Sequence, residues 1–330
     1  MKIAVVILNW NGRSLLEEFL PSVIQFSKEA TIYVADNAST DNSVTYITNS
    51  FPEVNVIRNK INGGYAKGYN DALKNINADI FCLLNSDIEV TKNWLTPIIS
   101  TFQKDSNVAV VQPKILDYKK KTHFEYAGAA GGFIDKLGYP YCRGRIFDTL
   151  EKDSNQYNDC IDIFWASGAC LFIKKTVFEE VGKLDEDFFA HQEEIDLCWR
   201  VRNKGYLIKY QGESCVYHLG GATLNNLSPK KTFLNFRNNL LMIVKNVAPS
   251  QVFFIIFLRL LLDGIAGIKL IIDKKPSHCL AILKAHFSFY RNLPKFIKKR
   301  KKEGYSTKYY TILSVVWQYY MLNKKHYKQL

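Results

Sequence analysis

The side chains with chemistry to offer are acids that end apolar runs or crowd against aromatic rings. Asp87 follows Phe81-Cys82-Leu83-Leu84, and Asn85 stands two positions before it. Extended residues i and i+2 point the same way, so Asn85 and Asp87 face one pocket together. Mg2+ and Mn2+ prefer oxygen ligands and commonly bridge one or two carboxylates to a diphosphate; a turn-forming Asn-Ser-Asp accounts for the same pattern. Phe188 to Arg200 reads FFAHQEEIDLCWR, which brings Glu193, Glu194 and Asp196 within four residues. Acids beside Phe188, Phe189, Leu197 and Trp199 lose solvation, which raises a carboxyl pKa towards that of a general base. An exposed acidic helix start, favoured by the helix dipole, is the competing explanation. His218, between Cys215-Val216-Tyr217 and Gly220-Gly221, is either a metal ligand or a structural histidine, and spacing does not separate the two.

The elements that must hold these groups alternate. Residues 3–8 form a buried strand, broken by Asn9-Trp10-Asn11-Gly12 before a helical pattern through Leu16, Leu20 and Ile24. Residues 31–35 are a second strand ending on Asp36-Asn37, placed to meet a base or ribose or to cap the next helix. Residues 54–57 and 80–84 are the third and fourth strands, with Asn62-Gly63-Gly64 opening a helix between them. Four alternations with short connections imply a parallel α/β sheet, and ligands bind such sheets beyond the carboxyl ends of the strands. Asp36, Asn62-Gly63 and Asp87 all fall on that rim.

Residues 118–145 are glycine-rich and read as a long loop or irregular hairpin of the kind that serves a site. Arg143 and Arg145 flank Gly144 there; a guanidinium fork suits phosphate, and surface arginines on a loop are the alternative. Residues 163–173 return to strand and 176–181 to helix, and a pair of strands around Leu207 and Val216 closes the unit. A helical, more apolar pattern begins at Thr232, so the boundary is placed at Ser228-Pro229, dividing residues 1–228 from a helical, basic region at 229–330.

The 330 residues, 47% apolar and 14% aromatic, are ample for a core and exclude disordered and collagen-like classes. Seven cysteines without a C-x-x-C pair read as reduced thiols, not as a zinc ribbon or disulfide framework. Met1-Lys2 runs directly into the first strand with no charged leader, so a cytoplasmic location is expected. Fourteen Lys and Arg against two acidic residues lie from Asp273 onward, nearly all of the net charge of +13. Such a tail calls for an anionic partner or simply stays solvated.

Seven segments in order carry a family likeness: VVILNWNG (5–12), ADNASTDNS (35–43), NGGYAKGYN (62–70), LLNSDIEV (83–90), SGACLFIKK (167–175), EEIDLCWR (193–200) and YHLGGAT (217–223). Together they resemble an inverting family 2 glycosyltransferase with the GT-A fold, over roughly residues 3 to 245. The rhamnosyltransferase-like bacterial enzymes of surface-polysaccharide synthesis are the most similar subgroup, sharing R-N-x-L at Arg237 to Leu240. The resemblance implies a Rossmann-like, mostly parallel sheet with flanking helices, a nucleotide-sugar donor and a Mg2+ or Mn2+ cofactor. It puts Asp36 on the base, Asn62-Gly63 by the donor, and Asp87 on the metal with His218 completing its shell. Asn85 stands where the family's D-x-D motif has its first Asp. The family's Glu-Asp pair is Glu193-Glu194 here, which makes Glu194 the catalytic base and Glu193 the reserve. Asn9, Gly168, Asp196 and Arg200 complete the expected substrate-binding set with Arg143 and Arg145. The implied reaction is one in-line displacement by an acceptor hydroxyl at the anomeric carbon.

Residues 252–272 are strongly apolar, yet Arg259, Asp263 and Lys269 interrupt them, so no spanning helix is expected. Arg259 and Asp263, four apart, pair on one helix face. With the polybasic run at 295–302 this gives two signals for peripheral attachment to an anionic membrane surface, each charge contributing about 1 kcal/mol. A monotopic enzyme on the inner face of the cell membrane, meeting a polyprenyl-diphosphate-linked saccharide, is the expectation. A sugar nucleotidyltransferase is the first alternative, but Asn9-Trp10-Asn11-Gly12 offers no lysine and a single glycine for a triphosphate. A non-catalytic nucleic-acid binder is the second; no RNA- or DNA-binding motif accompanies the charge, so no nucleic-acid partner is expected.

Overall fold

The computed structural model describes residues 1–220, 228–301 and 304–330. The second half of the YHLGGAT segment, from Gly221, and Lys302 of the polybasic run lie outside the described residues. The strands and helices in chain order are β1 (Ile3–Asn9), α1 (Arg13–Phe26), β2 (Ala30–Asp36), α2 (Ser43–Ser50), β3 (Asn55–Arg58), α3 (Gly64–Leu73), β4 (Ile80–Asn85), β5 (Ile88–Val90), α4 (Leu95–Lys104) and β6 (Val108–Asp117). Then come β7 (Gly132–Ile134), β8 (Pro140–Cys142), β9 (Arg145–Ile146), β10 (Thr149–Leu150), β11 (Cys160–Asp162), β12 (Cys170–Lys174), α5 (Lys175–Glu180), α6 (Glu193–Asn203) and β13 (Leu207–His218). Four helices follow: α7 (Pro229–Asn246), α8 (Pro249–Ile272), α9 (Pro276–Lys298) and α10 (Val315–Tyr320).

The main sheet runs β11-β13-β6-β12-β4-β1-β2-β3, with β5 added against β13. The strands β4, β1, β2 and β3 pair in parallel, as do β6 and β13, while β12 enters antiparallel between β4 and β6. Successive side chains of a strand point to opposite faces, and both faces of this sheet are covered. Ala4 and Val6 of β1 join the core under α3, α6 and α7, while Ile3, Val5 and Ile7 join a second core under α1 and α4. The first core runs on past residue 228 through Leu240, Ile243, Ile255 and Phe296, so the described C-terminal helices share the apolar interior of the α/β unit.

Three local expectations are corrected. Residues 163–173 are not one strand: β11 stops at Asp162 and β12 starts at Cys170, because Gln112 accepts from the Ser167 amide at 2.8 Å and Tyr65 donates to the Gly168 carbonyl at 2.7 Å. The two strands around Leu207 and Val216 are one strand, β13, whose register against β6 shifts between Gln211 and Cys215. The glycine-rich stretch contributes β7, β8 and the start of β9 to a four-stranded antiparallel sheet completed by β10 just beyond it.

Candidate active site

The ends of β1, β2 and β4 place Asn9, Asp36 and Asn85 side by side, Asn9 registered against Asp36 and Leu8 against Asn85. The Asn9 amide donates to Asp36 Oδ1 at 3.2 Å and to the hydroxyls of Ser39 and Ser43, and Ser39 N donates to Asp36 Oδ2 at 3.1 Å. A carboxylate at a strand end is thus fixed by one amide and one turn. Asn62 Oδ1 accepts from Gly64 N at 3.0 Å and from Asn37 Nδ2 at 2.9 Å, tying the start of α3 to the Asp36 loop.

The turn after β4 brings Asp87 opposite His218, the last residue of β13. His218 Nε2 lies 3.2 Å from Asp87 Oδ1 and Nδ1 lies 3.2 Å from Glu125 Oε2, and all three residues are buried. Burial alone would lower the imidazole pKa, but the two carboxylates overcome it and push it up to about 10. Glu125 is the residue that sequence reasoning missed. Its available signal was being the one charge in FEYAGAAGGFI, residues 124–134.

Among the described residues no three His, Cys, Asp or Glu side chains converge as a closed metal cage. The donor set still fits a divalent cation: one carboxylate and one imidazole nitrogen face each other, which leaves further positions for water and diphosphate oxygens. Glu125 meets the opposite edge of the ring from Asp87, so it does not belong to that pair.

The acidic pair starts α6. Three residues leading into it, Phe189, His191 and Gln192, have positive φ of 64°, 70° and 74°, conformations that non-glycine residues adopt at a cost and that gather at functional sites. The Oε2 atoms of Glu193 and Glu194 and Nε2 of His191 are buried without a hydrogen-bond partner. Burial lifts the Glu194 carboxyl to about 7, against main-chain N–H groups of Gln192, Glu194 and Ile195 that favour the anion. Glu193 is pushed further up by burial and by the charge of Glu194. Opposed environments of this kind separate a base from a neutral partner. His191 is lowered to about 4 by burial and by Lys231.

Gly168 joins the two halves. Its carbonyl accepts from Tyr65 of α3, and a Cβ there would lie 3.0 Å from the Tyr65 hydroxyl and 3.7 Å from Glu194 Cβ. Its neighbour Ala169 accepts from Asn85 N at 2.9 Å. Residues 168–169 therefore touch Asn85 on one side and Glu194 on the other, and the Cys142 thiol, raised mainly by burial, senses Glu125 and Glu194 together.

Three expected binding residues are committed elsewhere. Asp196 is wholly buried and accepts from Arg200, Lys245 and Asn246, which locks α6 to α7. Arg200 also donates to the carbonyls of Val181 and Lys183. Arg143 pairs with Asp159 and lies over the rings of Tyr157 and Tyr210, inside the inserted sheet. Arg145 lies over Tyr126 at 4.2 Å and donates to the Phe147 carbonyl at 3.3 Å, and the buried Nε atoms of both arginines have no partner.

The family model for Glycosyl transferase family 2 matches residues 4–182, more than half of the chain and the part that builds the strand-end rim. The low-salt glycan biosynthesis hexosyltransferase Agl10 of Haloferax volcanii is 24% identical over 72% of this chain and 74% of its own length. An N-acetylglucosaminyl-diphospho-decaprenol L-rhamnosyltransferase of Mycobacterium tuberculosis is 23% identical over 65% of this chain and 75% of its own. Among solved structures, GalNAc-T7 with UDP, GalNAc and Mn2+ superposes with a TM-score of 0.60 at 17% identity. That superposition covers 76% of this chain and 49% of the neighbour, about half its length, and at this identity the likeness shows the fold. A GT-A-like sheet carrying an acidic rim, matched by the model over most of its strands, settles the classification: the chain belongs to glycosyltransferase family 2.

Proposed function

We propose that this glycosyltransferase moves a hexosyl or rhamnosyl unit from a nucleoside-diphosphate sugar, dTDP-rhamnose or a UDP-sugar, to a hydroxyl of a polyprenyl-diphosphate-linked saccharide. Transfer proceeds with inversion, in the synthesis of a cell-surface polysaccharide. The observation that carries this is Glu194, a carboxyl with an unpartnered buried oxygen and a pKa of about 7, set beside Gly168, whose neighbour Ala169 holds Asn85. It takes the proton of the acceptor hydroxyl as that oxygen attacks the anomeric carbon. Glu193, held neutral, offers no second nucleophile, which supports single displacement over a covalent intermediate. Asp87 and His218 would hold Mg2+ or Mn2+, which supplies positive charge to the departing diphosphate. Asp36 and Asn9 stand at the strand ends for the nucleotide. The decaprenol-linked acceptor in the name of the mycobacterial relative and the hexosyl transfer in that of the Haloferax one support the substrate classes.

The exposed face of α8 and α9 rests on an anionic membrane surface at the inner face of the cell membrane. The buried stripe of α8 is Ile255, Arg259, Asp263 and Gly267, whereas Phe253, Ile272 and, on α9, Phe287 are 84%, 74% and 77% exposed. Water favours the reverse arrangement. Arg259 is held by the Leu137 carbonyl at 3.1 Å and the Tyr139 ring at 3.6 Å, and Asp263 by His286 at 3.1 Å. Lys284, Arg291 and Lys298 are exposed on α9 for lipid headgroups. Among the described residues no helix is long and apolar enough to cross a membrane.

The test is full-length enzyme with Mn2+, a panel of dTDP- and UDP-sugars, and a polyprenyl-diphosphate-linked N-acetylglucosamine acceptor, with the anomeric configuration of the product read by proton NMR. An inverted glycoside from one donor is expected. Retention, or donor hydrolysis without transfer to any lipid-linked saccharide, overturns the assignment.

A further inference from the structure

We infer that Glu125 is a positioning residue for the metal-binding imidazole: its Oε2 faces Nδ1 of His218 at 3.2 Å, so that the ring keeps that proton when a cation displaces the one on Nε2 beside Asp87. The inference rests on the assignment of Asp87 and His218 as the cation's ligands. A neutral imidazole binds a cation through one nitrogen only, and the hydrogen bond made by the other nitrogen decides which one is free. Carboxylates in that second position orient metal-bound histidines and raise their basicity, and removing one typically costs 10- to 100-fold in metal affinity.

The fold builds this arrangement from one strand. The end of β6 pairs with β13, setting Asp117 against His218. The same end bridges Leu116 to Phe124, and Glu125 N donates to the Ile115 carbonyl at 3.1 Å. β6 thus sets both the imidazole and the carboxylate that faces it. One further contact fixes the carboxylate itself, Ala127 N donating to Glu125 Oε2, and Ala127 is held in turn by Ser167, next to Gly168, which donates to the Ala127 carbonyl. Gly220, with φ of +67°, leaves room on the other side, since a Cβ there would come within 3.0 Å of Glu125 Oε1. With Asp87 and Glu125 on opposite edges of the ring, the two carboxylates have different tasks: one is placed to share the cation and the other to hold the ring.

The test measures Mn2+ binding to the full-length protein by the loss of the free-ion EPR signal, for wild type, D87N, H218A, E125Q and E125L. A carboxamide at this position keeps an oxygen that accepts the Nδ1 proton, so E125Q is expected to stay within several-fold of wild type, while E125L weakens binding 10- to 100-fold. A second readout uses 15N-histidine protein loaded with 113Cd2+: cadmium coupling belongs on Nε2 and the proton on Nδ1 in wild type, and that division is expected to be lost in E125L. Wild-type binding by E125L, alongside weakened H218A, overturns the positioning role and leaves the metal assignment standing. Loss in E125Q equal to that in D87N makes Glu125 a ligand and also overturns it. Unchanged binding by both D87N and H218A overturns the metal assignment and this inference together.

Discussion

The side-chain amide of Asn238 donates to the main-chain carbonyl of His191 at 2.8 Å, and the same nitrogen reaches the carbonyls of Ala190 at 2.9 Å and Phe188 at 3.0 Å. One buried carboxamide on α7 therefore holds the turn whose positive-φ residues aim α6 and its acidic pair into the cleft. Asn238→Ala leaves these buried acceptors short of a donor, at about 2–3 kcal/mol. If the loop aims the proposed base Glu194, kcat falls about 10- to 100-fold, the scale of a small misplacement of reacting groups. Asn238→Asp, which replaces the donor with an acceptor, is expected to be worse on both counts. Thermal melts and initial rates of the two variants check this; a wild-type kcat in Asn238→Ala removes the loop-holding role.

With Glu194 lifted to about 7 mainly by burial, the proposed base is mostly protonated below that pH and mostly ionised above it. The rate, read as kcat/KM, should rise about tenfold per pH unit below 7 and level off above it. Glu194→Gln should keep donor binding and lose at least about 10²-fold in transfer. Stability runs the other way. A carboxyl with a raised folded-state pKa stabilises the fold fully below its unfolded value of 4.5, and that contribution is lost as pH rises through about 7. Glu194→Gln should therefore match wild type near pH 4 and exceed it at pH 8 by on the order of 2 kcal/mol. Denaturant melts at the two pH values test the sign.

The strand-end rim was legible because each of the first four strands is an apolar run that stops at a polar turn, and parallel sheets gather such turns on one side. The raised carboxyl of Glu194 was legible from acids set among aromatic residues. Glu125 was not, since it enters the cleft through a Leu116–Phe124 bridge that no local pattern announces. Asp196 and Arg200 sit four apart on α6 as an ordinary helix pair; only the fold brings Lys245 to the same carboxylate and takes both out of the cleft. The R-N-x-L pattern was visible, and its reason lies in tertiary contacts: Arg237 and Asn238 both donate to the Phe188 carbonyl. β13 read as two strands because the interval between Gln211 and Cys215 interrupts its pairing without ending it.

Gly64 has φ of +76°, and a Cβ on it would lie 2.6 Å from the Phe189 carbonyl oxygen. That oxygen also accepts from Tyr65 N at 3.1 Å, so α3 starts directly against the strained turn. Gly182, with φ of +87°, has nothing within 4 Å of the same construction. Gly64→Ala should thus cost backbone strain plus displacement of the turn, about 3 kcal/mol or more, and Gly182→Ala the strain alone, about 1 kcal/mol. Activity should drop in the first variant and not in the second. Equal melting temperatures for the pair would show that Gly64 is chosen for its φ and not for the approach of Phe189.

The reversed polarity of α8 separates two effects that are usually mixed. Phe253 and Phe287 are exposed, so Phe253→Asp with Phe287→Asp removes apolar surface without opening a cavity, and the melting temperature should hold while flotation with vesicles containing phosphatidylglycerol falls sharply. Arg259 is buried with Asp263 and Tyr139, so Arg259→Ala leaves a carboxylate without its cation and should cost about 3–5 kcal/mol while the outer face stays intact. The proposed attachment through Lys284, Arg291 and Lys298 adds a salt-dependent part: flotation of wild type should weaken as NaCl rises and persist in part, because the apolar contribution is not screened. Flotation by the double aspartate variant equal to wild type would assign attachment to the basic residues alone, with α8 turned towards a protein surface instead of lipid.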